Sequence, residues 1–253
     1  MVTSGQPVSP GHLYGVGVGP GDPELMTLKA QRVITTCAVV AHFAARNRPG
    51  NAWTIVEDLV APHQEVLRLE YPVTTEAVTK DSYESSIAAF YDESAARVAA
   101  QLDAGRDVAV ICEGDPFLYG SYMYVHQRLA STHPTTVVPG VPAFAAATAA
   151  TGRPLVSMDE HLTIVPAVRT ASEMKETLAS SPASVVMKVG RRLPEVVDAA
   201  EAVGIADRAV YVERASTGAE KVMPLLEARD QNAPYFSLVL FPGEAIDQRW
   251  SGR

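Results

Sequence analysis

The sequence predicts an α/β protein with two lobes, the first built on a mostly parallel sheet and the second on a mixed sheet. Buried-strand patterns alternate with helix patterns along the 253 residues, as in chains that form parallel sheets. Two strand ends carry the same Gly-Asp-Pro loop, at Gly21–Pro23 and Gly114–Pro116. The segment between the last two predicted strands leaves too little room for a clear helix, which favours a mixed second sheet.

The first predicted strand is rich in glycine. Leu13, Val16 and Val18 alternate with glycines, and the run ends at Pro20-Gly-Asp-Pro23. Glycine at every second position removes Cβ atoms from one face, so another backbone or a flat ligand can approach closely. Neither register of the run fits the G-x-G-x-x-G dinucleotide fingerprint, and the sequence contains no G-x-x-x-x-G-K-[ST] phosphate loop. Taken alone, the stretch also fits a tight strand end in an α/β domain.

The later elements follow from apolar spacing. Ile87, Phe90 and Val98 belong to a set spaced by three and four residues, which predicts a long amphipathic helix ended by Gly105. Helices are predicted over 24–34, 83–102, 143–151, 172–179 and 193–203, and strands over 13–18, 37–41, 53–56, 67–73, 107–112, 136–138, 161–165, 184–188, 209–212 and 235–241.

The strand that ends at Cys112 leads directly into Glu113-Gly-Asp-Pro-Phe117. Because ligands of open α/β sheets sit outside the carboxyl ends of the strands, we expect the two Gly-Asp-Pro loops to face one crevice. The pattern restarts with a strand after Gly152-Arg-Pro-Leu155. This restart predicts a flexible N-terminus over 1–12, a first domain over 13–155, a second over 156–245 and a tail over 246–253.

Composition argues against several classes of partner. Lys+Arg 21 against Asp+Glu 29 gives a formal charge of -8, which disfavours nucleic acid. No apolar run approaches the roughly 18 residues of a membrane span, and the N-terminus lacks the pattern of a signal peptide. Cys37 and Cys112 lie far apart, and the histidines show no metal-ligand spacing. We therefore expect free thiols, no metal, no membrane partner and a cytoplasmic location.

Four loop segments stand in order along the chain: Gly17–Pro23, Glu113–Phe117, Val138–Gly140 and Val212–Ser216. In this order and spacing, from Leu13 to Gly243, the chain resembles the tetrapyrrole methylase family. The resemblance implies a two-domain α/β fold that binds S-adenosylmethionine in a cleft between its lobes, and it implies a homodimer. Each motif alone is weak, whereas four motifs in register are specific.

Further segments are similar to the variants of one subgroup of that family: Tyr71–Glu76, Cys112–Met123, Met187–Arg191 and Ala233–Ser237. This similarity implies methyl transfer to the meso carbon C20 of precorrin-2, or of its cobalt form, in cobalamin biosynthesis. An alternative is the same fold acting on uroporphyrinogen III or another precorrin. A nicotinamide oxidoreductase and a catalytically silent binding protein are alternatives of a different class.

The resemblance also implies which residues hold the methyl donor. The matching positions are Pro20, Glu113, Gly114, Asp115, Leu118, Pro142, Ala143, Met187 and Ala215. The family commonly has a hydroxyl residue after Pro139-Gly-Val141, where this chain has Pro142 and Ala143. Backbone contacts would have to replace that hydroxyl.

The expected chemistry needs no covalent nucleophile. A methyl sulfonium is already electrophilic, so the enzyme has to align carbon, methyl and sulfur and exclude water. Methylation of a meso carbon leaves a proton to be lost, for which a carboxylate is a suitable acceptor. Asp115, Glu113 and Asp22 are the candidates. Asp22 and Asp115 equally fit loop caps that accept backbone N–H bonds.

Glu76, Tyr119 and Arg214 are predicted to contact the acceptor. Glu76 fits a helix-start acid as well. Tyr119, with Tyr122 and Tyr124, either walls a flat macrocycle or belongs to the core. Arg214 provides a guanidinium, which pairs well with the carboxylates of a tetrapyrrole.

Overall fold

The computed structural model describes residues 9–72, 80–167 and 170–244. The chain folds into two compact units, one ending at Pro142 and one beginning at Ala143. The predicted boundary after residue 155 places the helix over 143–151 in the first domain, whereas in the structure this helix belongs to the second unit. The reason is packing, since the helix shares an apolar cluster with the second sheet.

Unit 1 contains a five-stranded sheet in the order β3-β2-β4-β1-β5, in which every ladder is parallel. This confirms the prediction for the first sheet. Its strands are β1 (Leu13–Gly17), β2 (Val39–Ala44), β3 (Glu65–Glu70), β4 (Val108–Cys112) and β5 (Thr135–Val138), and its helices are α1 (Leu28–Thr36), α2 (Asn51–Val56), α3 (Lys80–Asp103) and α4 (Tyr122–Leu129).

The helices of unit 1 cover both faces of the sheet. Helices α1 and α2 share one apolar cluster with Val16 of β1, and α3 and α4 share another with Leu13 of the same strand. Strands β1 and β4 are neighbours, and the helices that follow them, α1 and α4, lie on opposite faces. Such a pair marks a topological switch point, where a crevice forms at the carboxyl ends of the strands.

The predicted strand over 53–56 is wrong, because these residues belong to helix α2. The amide groups of Trp53 and Thr54 both donate to the Gly50 carbonyl, which starts a helical turn. Ala52, Ile55 and Val56 are buried, and their spacing of three and four residues is that of one helix face. The prediction relied on β-branched composition and overlooked this period.

Unit 2 contains a second five-stranded sheet in the order β6-β7-β10-β8-β9. The β6–β7 ladder is parallel, and the other three ladders are antiparallel, so the predicted mixed sheet is confirmed. Its strands are β6 (Leu162–Pro166), β7 (Ala183–Met187), β8 (Val210–Glu213), β9 (Lys221–Pro224) and β10 (Ser237–Phe241), and its helices are α5 (Ala143–Thr151), α6 (Ala171–Ser180) and α7 (Leu193–Val203).

Helices α6 and α7 cover one face of the second sheet, and α5 covers the other. Helix α7 ends at Gly204, which has a left-handed φ of 78° and no Cβ to strain that conformation. Strand β9 is absent from the sequence prediction because it is short and mostly exposed at the sheet edge. Among the described residues, we find no helix with the length and apolar character needed to cross a membrane.

Candidate active site

Three loops meet at the carboxyl edge of the unit 1 sheet. After β1, the Gly19 amide donates to the Gly114 carbonyl at 3.4 Å, and the Gly114 amide donates back to Gly19 at 2.7 Å. The loop after β5 reaches the same place through Gly140, whose amide donates to Asp115 Oδ2 at 3.1 Å. The structure therefore joins the first three sequence motifs at the switch point.

Glycine is required here for the approach of one backbone to another. A Cβ on Gly17 would lie 2.5 Å from the Gly114 carbonyl oxygen, and a Cβ on Gly140 would lie 2.0 Å from the same atom. Two residues earlier on β1, a Cβ on Gly15 would lie 2.1 Å from the Tyr122 ring. The glycine-rich strand thus accommodates neighbouring loops and a core tyrosine.

The contacts of Asp115 and Asp22 favour the loop-capping interpretation. Asp115 Oδ1 accepts the Phe117 amide at 2.9 Å, while Oδ2 accepts Gly140. Asp22 caps a short helical turn, and its Oδ1 accepts the Glu24 amide at 2.8 Å. Asp115 therefore connects the second and third loops, and Asp22 shapes the first.

The other predicted donor residues of unit 1 lie on these same loops. Pro20 is buried directly after the Gly19–Gly114 bridge, and Glu113 is half-buried directly after β4. Leu118 is half-buried and donates its amide to the Asp115 carbonyl. Pro142, the last residue of unit 1, is half-buried.

The three tyrosines after the second loop have different environments. Tyr122 is fully buried and belongs to the core. Tyr119 is 37% exposed, with a left-handed φ of 57°. Tyr124 is exposed and stacks on Tyr91, with ring centroids 4.4 Å apart. Of the three, Tyr119 lies within the loop that carries the predicted donor residues.

Neither cysteine is suited to nucleophilic catalysis. Both are buried free thiols, and burial raises the pKa of Cys112 and of Cys37 to about 12. A thiol with such a pKa stays protonated at neutral pH and is a poor nucleophile. Within the described ranges, no three His, Cys, Asp or Glu side chains are grouped closely enough to hold a metal ion.

In unit 2, the structure brings Ala143, Met187 and Ala215 into one apolar cluster. Ala143 begins α5, Met187 ends β7, and Ala215 follows β8 by two residues. Strands β7 and β8 both run antiparallel to β10, so their carboxyl ends lie at the same sheet edge. The predicted donor residues of unit 2 therefore share a single surface of small and flexible apolar side chains.

Sequence reasoning missed a buried carboxylate at this edge. Glu213 is 4% exposed, its Oε2 accepts the Tyr211 hydroxyl at 3.1 Å, and its Oε1 lies 3.4 Å from Lys221 Nζ and 3.9 Å from Arg214 Nη1. A charged residue that ends the apolar run Val210-Tyr-Val212 is the signal that marks it. Arg214 itself is exposed, and its left-handed φ of 48° is held in part by a hydrogen bond that its backbone N–H donates to the Phe236 carbonyl at 2.9 Å.

Left-handed backbone is concentrated near the predicted site residues. Tyr119, Lys188, Arg214 and Ser216 all have φ between 48° and 62°. Strained conformations of non-glycine residues tend to occur at functional sites.

Glu76, which is predicted to contact the acceptor, lies outside the described residues.

The chain is similar to known proteins over most of its length. The family model described as Tetrapyrrole (Corrin/Porphyrin) Methylases matches residues 12–228. A precorrin-2 C(20)-methyltransferase from Sinorhizobium sp is 47% identical over 93% of this chain and 97% of its own length. A cobalt-precorrin-2 C(20)-methyltransferase from Salmonella typhimurium is 27% identical over 95% of this chain and 98% of its own length.

The solved structure of a uroporphyrin-III C-methyl transferase from Thermus thermophilus, complexed with S-adenyl homocysteine, superposes with a TM-score of 0.65. It is 25% identical in sequence, and the match covers 91% of this chain and 92% of that one. The similarity therefore extends over nearly the whole of both chains.

Proposed function

We propose that this chain, which belongs to the tetrapyrrole (corrin/porphyrin) methylase family, transfers a methyl group from S-adenosylmethionine to C20 of precorrin-2 in cobalamin biosynthesis. The observation that carries the proposal is the 47% identity to the Sinorhizobium precorrin-2 C(20)-methyltransferase over nearly the whole length of both proteins. The segments that are similar to one subgroup of the family, such as Tyr71–Glu76 and Cys112–Met123, also support this proposal.

The residues at the two sheet edges are chemically suited to the donor. Pro20, Gly114 and Leu118 offer backbone and apolar surface at the edge of unit 1, with the carboxylates of Glu113 and Asp115 beside them. A carboxylate accepts hydrogen bonds from ribose hydroxyls or from the donor's ammonium group. In unit 2, Ala143, Met187 and Ala215 form an apolar surface, which suits an adenine ring. Pro142 completes the proposed donor set.

S-adenosylmethionine, when bound, supplies an electrophilic methyl group on a sulfonium. The protein residues then have to fix the reacting atoms in line and exclude water, which reduces the barrier by positioning alone. The buried Gly19–Gly114 bridge and the Asp115–Gly140 hydrogen bond connect the three loops to one another. We propose that these contacts keep the donor residues of unit 1 in position.

We assign the three candidate carboxylates to different roles. Formation of the new carbon–methyl bond at C20 requires a proton to leave, and a nearby carboxylate accepts it. Glu113 is proposed as that acceptor because it directly follows β4 at the switch point. Asp115 and Asp22 are proposed to hold their loops, since their oxygens accept backbone N–H bonds.

Tyr119, Arg214 and Glu76 are proposed to contact the acceptor. Tyr119 presents an exposed ring on the second loop, which suits a flat macrocycle. Arg214 provides an exposed guanidinium for a carboxylate of the substrate.

Greater sequence identity to the precorrin-2 enzyme than to the cobalt-precorrin-2 enzyme favours an acceptor without cobalt.

Turnover of purified acceptors tests the proposal. We expect methylation of precorrin-2 to proceed faster than methylation of cobalt-precorrin-2, and we expect none of uroporphyrinogen III. Methylation of uroporphyrinogen III without methylation of precorrin-2 would show that uroporphyrinogen III is the acceptor.

Calorimetry tests the nicotinamide alternative, because tight NADPH binding without S-adenosylhomocysteine binding would rule out a methylase. Binding of a tetrapyrrole without turnover would favour a silent binding protein.

We further propose that the protein works as a homodimer in the cytoplasm. Both cysteines are free thiols, as is common in a reducing compartment. Light scattering of the purified protein tests the oligomeric state, and a monomeric mass over the working concentration range would refute the dimer.

A further inference from the structure

Three hydroxyl groups lie together beside the second loop of unit 1. The Tyr71 hydroxyl and Ser121 Oγ are 2.5 Å apart, and the Tyr91 hydroxyl lies beside both, with the ring centroids of Tyr71 and Tyr91 6.5 Å apart. Tyr71 follows β3, Tyr91 lies on α3, and Ser121 directly precedes α4. We call these three side chains the hydroxyl cluster. It connects three elements that are distant in sequence.

The hydroxyl cluster is packed among aromatic rings. Tyr71 lies on Phe90, with ring centroids 4.6 Å apart, and on Phe43 at 6.0 Å. Tyr91 is 5% exposed. Because a buried hydroxyl without a partner costs free energy, each group in the cluster restrains the other two. Burial also raises the pKa of Tyr71 and of Tyr91, so both remain hydrogen-bond donors at neutral pH.

The loop that ends at Ser121 makes a tight turn. Tyr119 has a left-handed φ of 57°, and a Cβ on Gly120 would lie 2.6 Å from the Pro116 carbonyl oxygen. A bulky residue keeps such a conformation only where its surroundings over-determine it. Ser121 directly follows these residues, so its bond to Tyr71 restrains the turn that presents Tyr119.

The other anchors of this loop lie at its start. Gly114 is bridged to Gly19, and Asp115 accepts the Gly140 amide. These two anchors connect the start of the loop to the first and third loops, and the proposed donor residues of unit 1 lie along these three loops. Ser121 instead connects the end of the loop to β3 and α3. The two ends of the loop are thus held by independent sets of contacts.

We propose that Tyr71 and Ser121 are positioning residues for the methyl acceptor. Their hydrogen bond fixes the turn that carries Tyr119, while the donor side of the loop is held by Gly19 and Gly140. The inference rests on the proposed function, because it assigns Tyr119 to the tetrapyrrole. It predicts that loss of the bond affects the acceptor and leaves the donor unaffected.

Kinetics of three variants test this selectivity. Tyr71→Phe and Ser121→Ala each remove one hydroxyl, and the double variant completes a mutant cycle. Loss of one hydrogen bond is expected to raise KM for precorrin-2 by about 3- to 10-fold, with KM for S-adenosylmethionine unchanged. In the double variant, KM for precorrin-2 should rise by less than the product of the two single-variant fold-increases. The matched control is Tyr14→Phe, which removes a hydroxyl from β1 of the same sheet and should change neither KM.

Amide hydrogen exchange provides a readout that does not depend on activity. In Tyr71→Phe, the amides of Met123 and Tyr124, which donate to the Gly120 and Ser121 carbonyls at the end of the turn, should exchange faster than in the wild type. The amides of Val18 and Gly114, which belong to the donor anchors, should keep their wild-type rates. Tyr14→Phe should leave all four unchanged.

Two results would overturn the inference. One is equal loss of donor and acceptor affinity in Tyr71→Phe, which would indicate general destabilisation. The other is an unchanged exchange rate at Met123 and Tyr124, which would show that the bond does not restrain the turn. Failure of the wild-type protein to methylate any tetrapyrrole would instead refute the proposed function, and the exchange result would still decide whether the hydroxyl cluster holds the loop.

Discussion

At the scale of single residues, the carboxylates of the site differ in what their oxygens contact. Asp115 uses both oxygens for backbone amides from two loops, which is a structural task. The sequence could identify Asp115 and Asp22 as candidates from their Gly-Asp-Pro setting. It could not choose between catalysis and capping, because that choice depends on the loop after β5.

Asp115→Asn should therefore destabilise the protein. The NH2 group of an asparagine side chain cannot accept a hydrogen bond as the replaced carboxylate oxygen does, so one of the two loop contacts is lost, at a cost of about 1–2 kcal/mol. Chemical denaturation measures the loss, and donor affinity should fall with it. Asp22→Asn, in an exposed turn, is the control and should lose less. Unchanged stability of Asp115→Asn with a turnover reduced by about 100-fold would instead indicate a direct catalytic role.

His42 on β2 should make stability depend on pH. It is 3% exposed and stacks on Trp53 with ring centroids 5.0 Å apart, and its Nδ1 has no hydrogen-bond partner in the described part of the chain. Burial lowers its pKa from 6.5, a contact with the Phe43 backbone partly opposes this shift, and the Arg68 guanidinium on β3 lowers the pKa further. Between the folded pKa and 6.5, the unfolded state binds more protons, so stability rises with pH in that window.

We expect the contribution of His42 to the free energy of unfolding to be constant above about pH 6.5 and to fall as the pH drops from there towards the folded pKa of His42. Urea titrations at several pH values measure this trend. His42→Phe keeps a ring against Trp53 and removes the titrating group, so its stability should vary less with pH. A variant with the same pH dependence as the wild type would assign the effect to other groups.

At the scale of elements, the local residue pattern predicts the bounds of a helix correctly where a single helical period dominates it. Helices α5 and α7 have the predicted bounds, because each has an apolar or small-residue pattern that ends at a clear stop. Helix α2 was mistaken for a strand, since six residues are too few for composition to separate the two periods. Strand β9 is defined by its pairing with β8, which no local pattern of exposed residues reveals.

The glycines of the first strand provide an element-scale prediction. Gly17→Ala places a Cβ 2.5 Å from the Gly114 carbonyl and 2.6 Å from the Gly140 amide, so all three loops have to shift. Overpacking of this kind costs about 1–3 kcal/mol. Gly218→Ala is the matched control, because no atom lies within 4 Å of its added Cβ. Equal stabilities of the two variants in denaturant would show that the loops are not closely packed.

At the scale of the whole molecule, the strand order brings together motifs that are separated in the sequence. In unit 1, the strand order places β1 between β4 and β5, which brings together loops that are distant in sequence. In unit 2, the pairing of β10 with both β7 and β8 gathers the motifs that end at Arg191, Ser216 and Ser237 near one edge. Order and spacing were enough to identify the family, whereas Glu213 and the hydroxyl cluster required the fold.

The most direct test of the central claim is the position of a transferred label. The protein is incubated with precorrin-2 and S-adenosylmethionine that carries a ¹³C-methyl group, and the product is examined by mass spectrometry and NMR. We predict one labelled methyl per product molecule, bonded to C20, together with an equimolar amount of S-adenosylhomocysteine. A label on any other carbon, or no label in the tetrapyrrole, would contradict the proposed function.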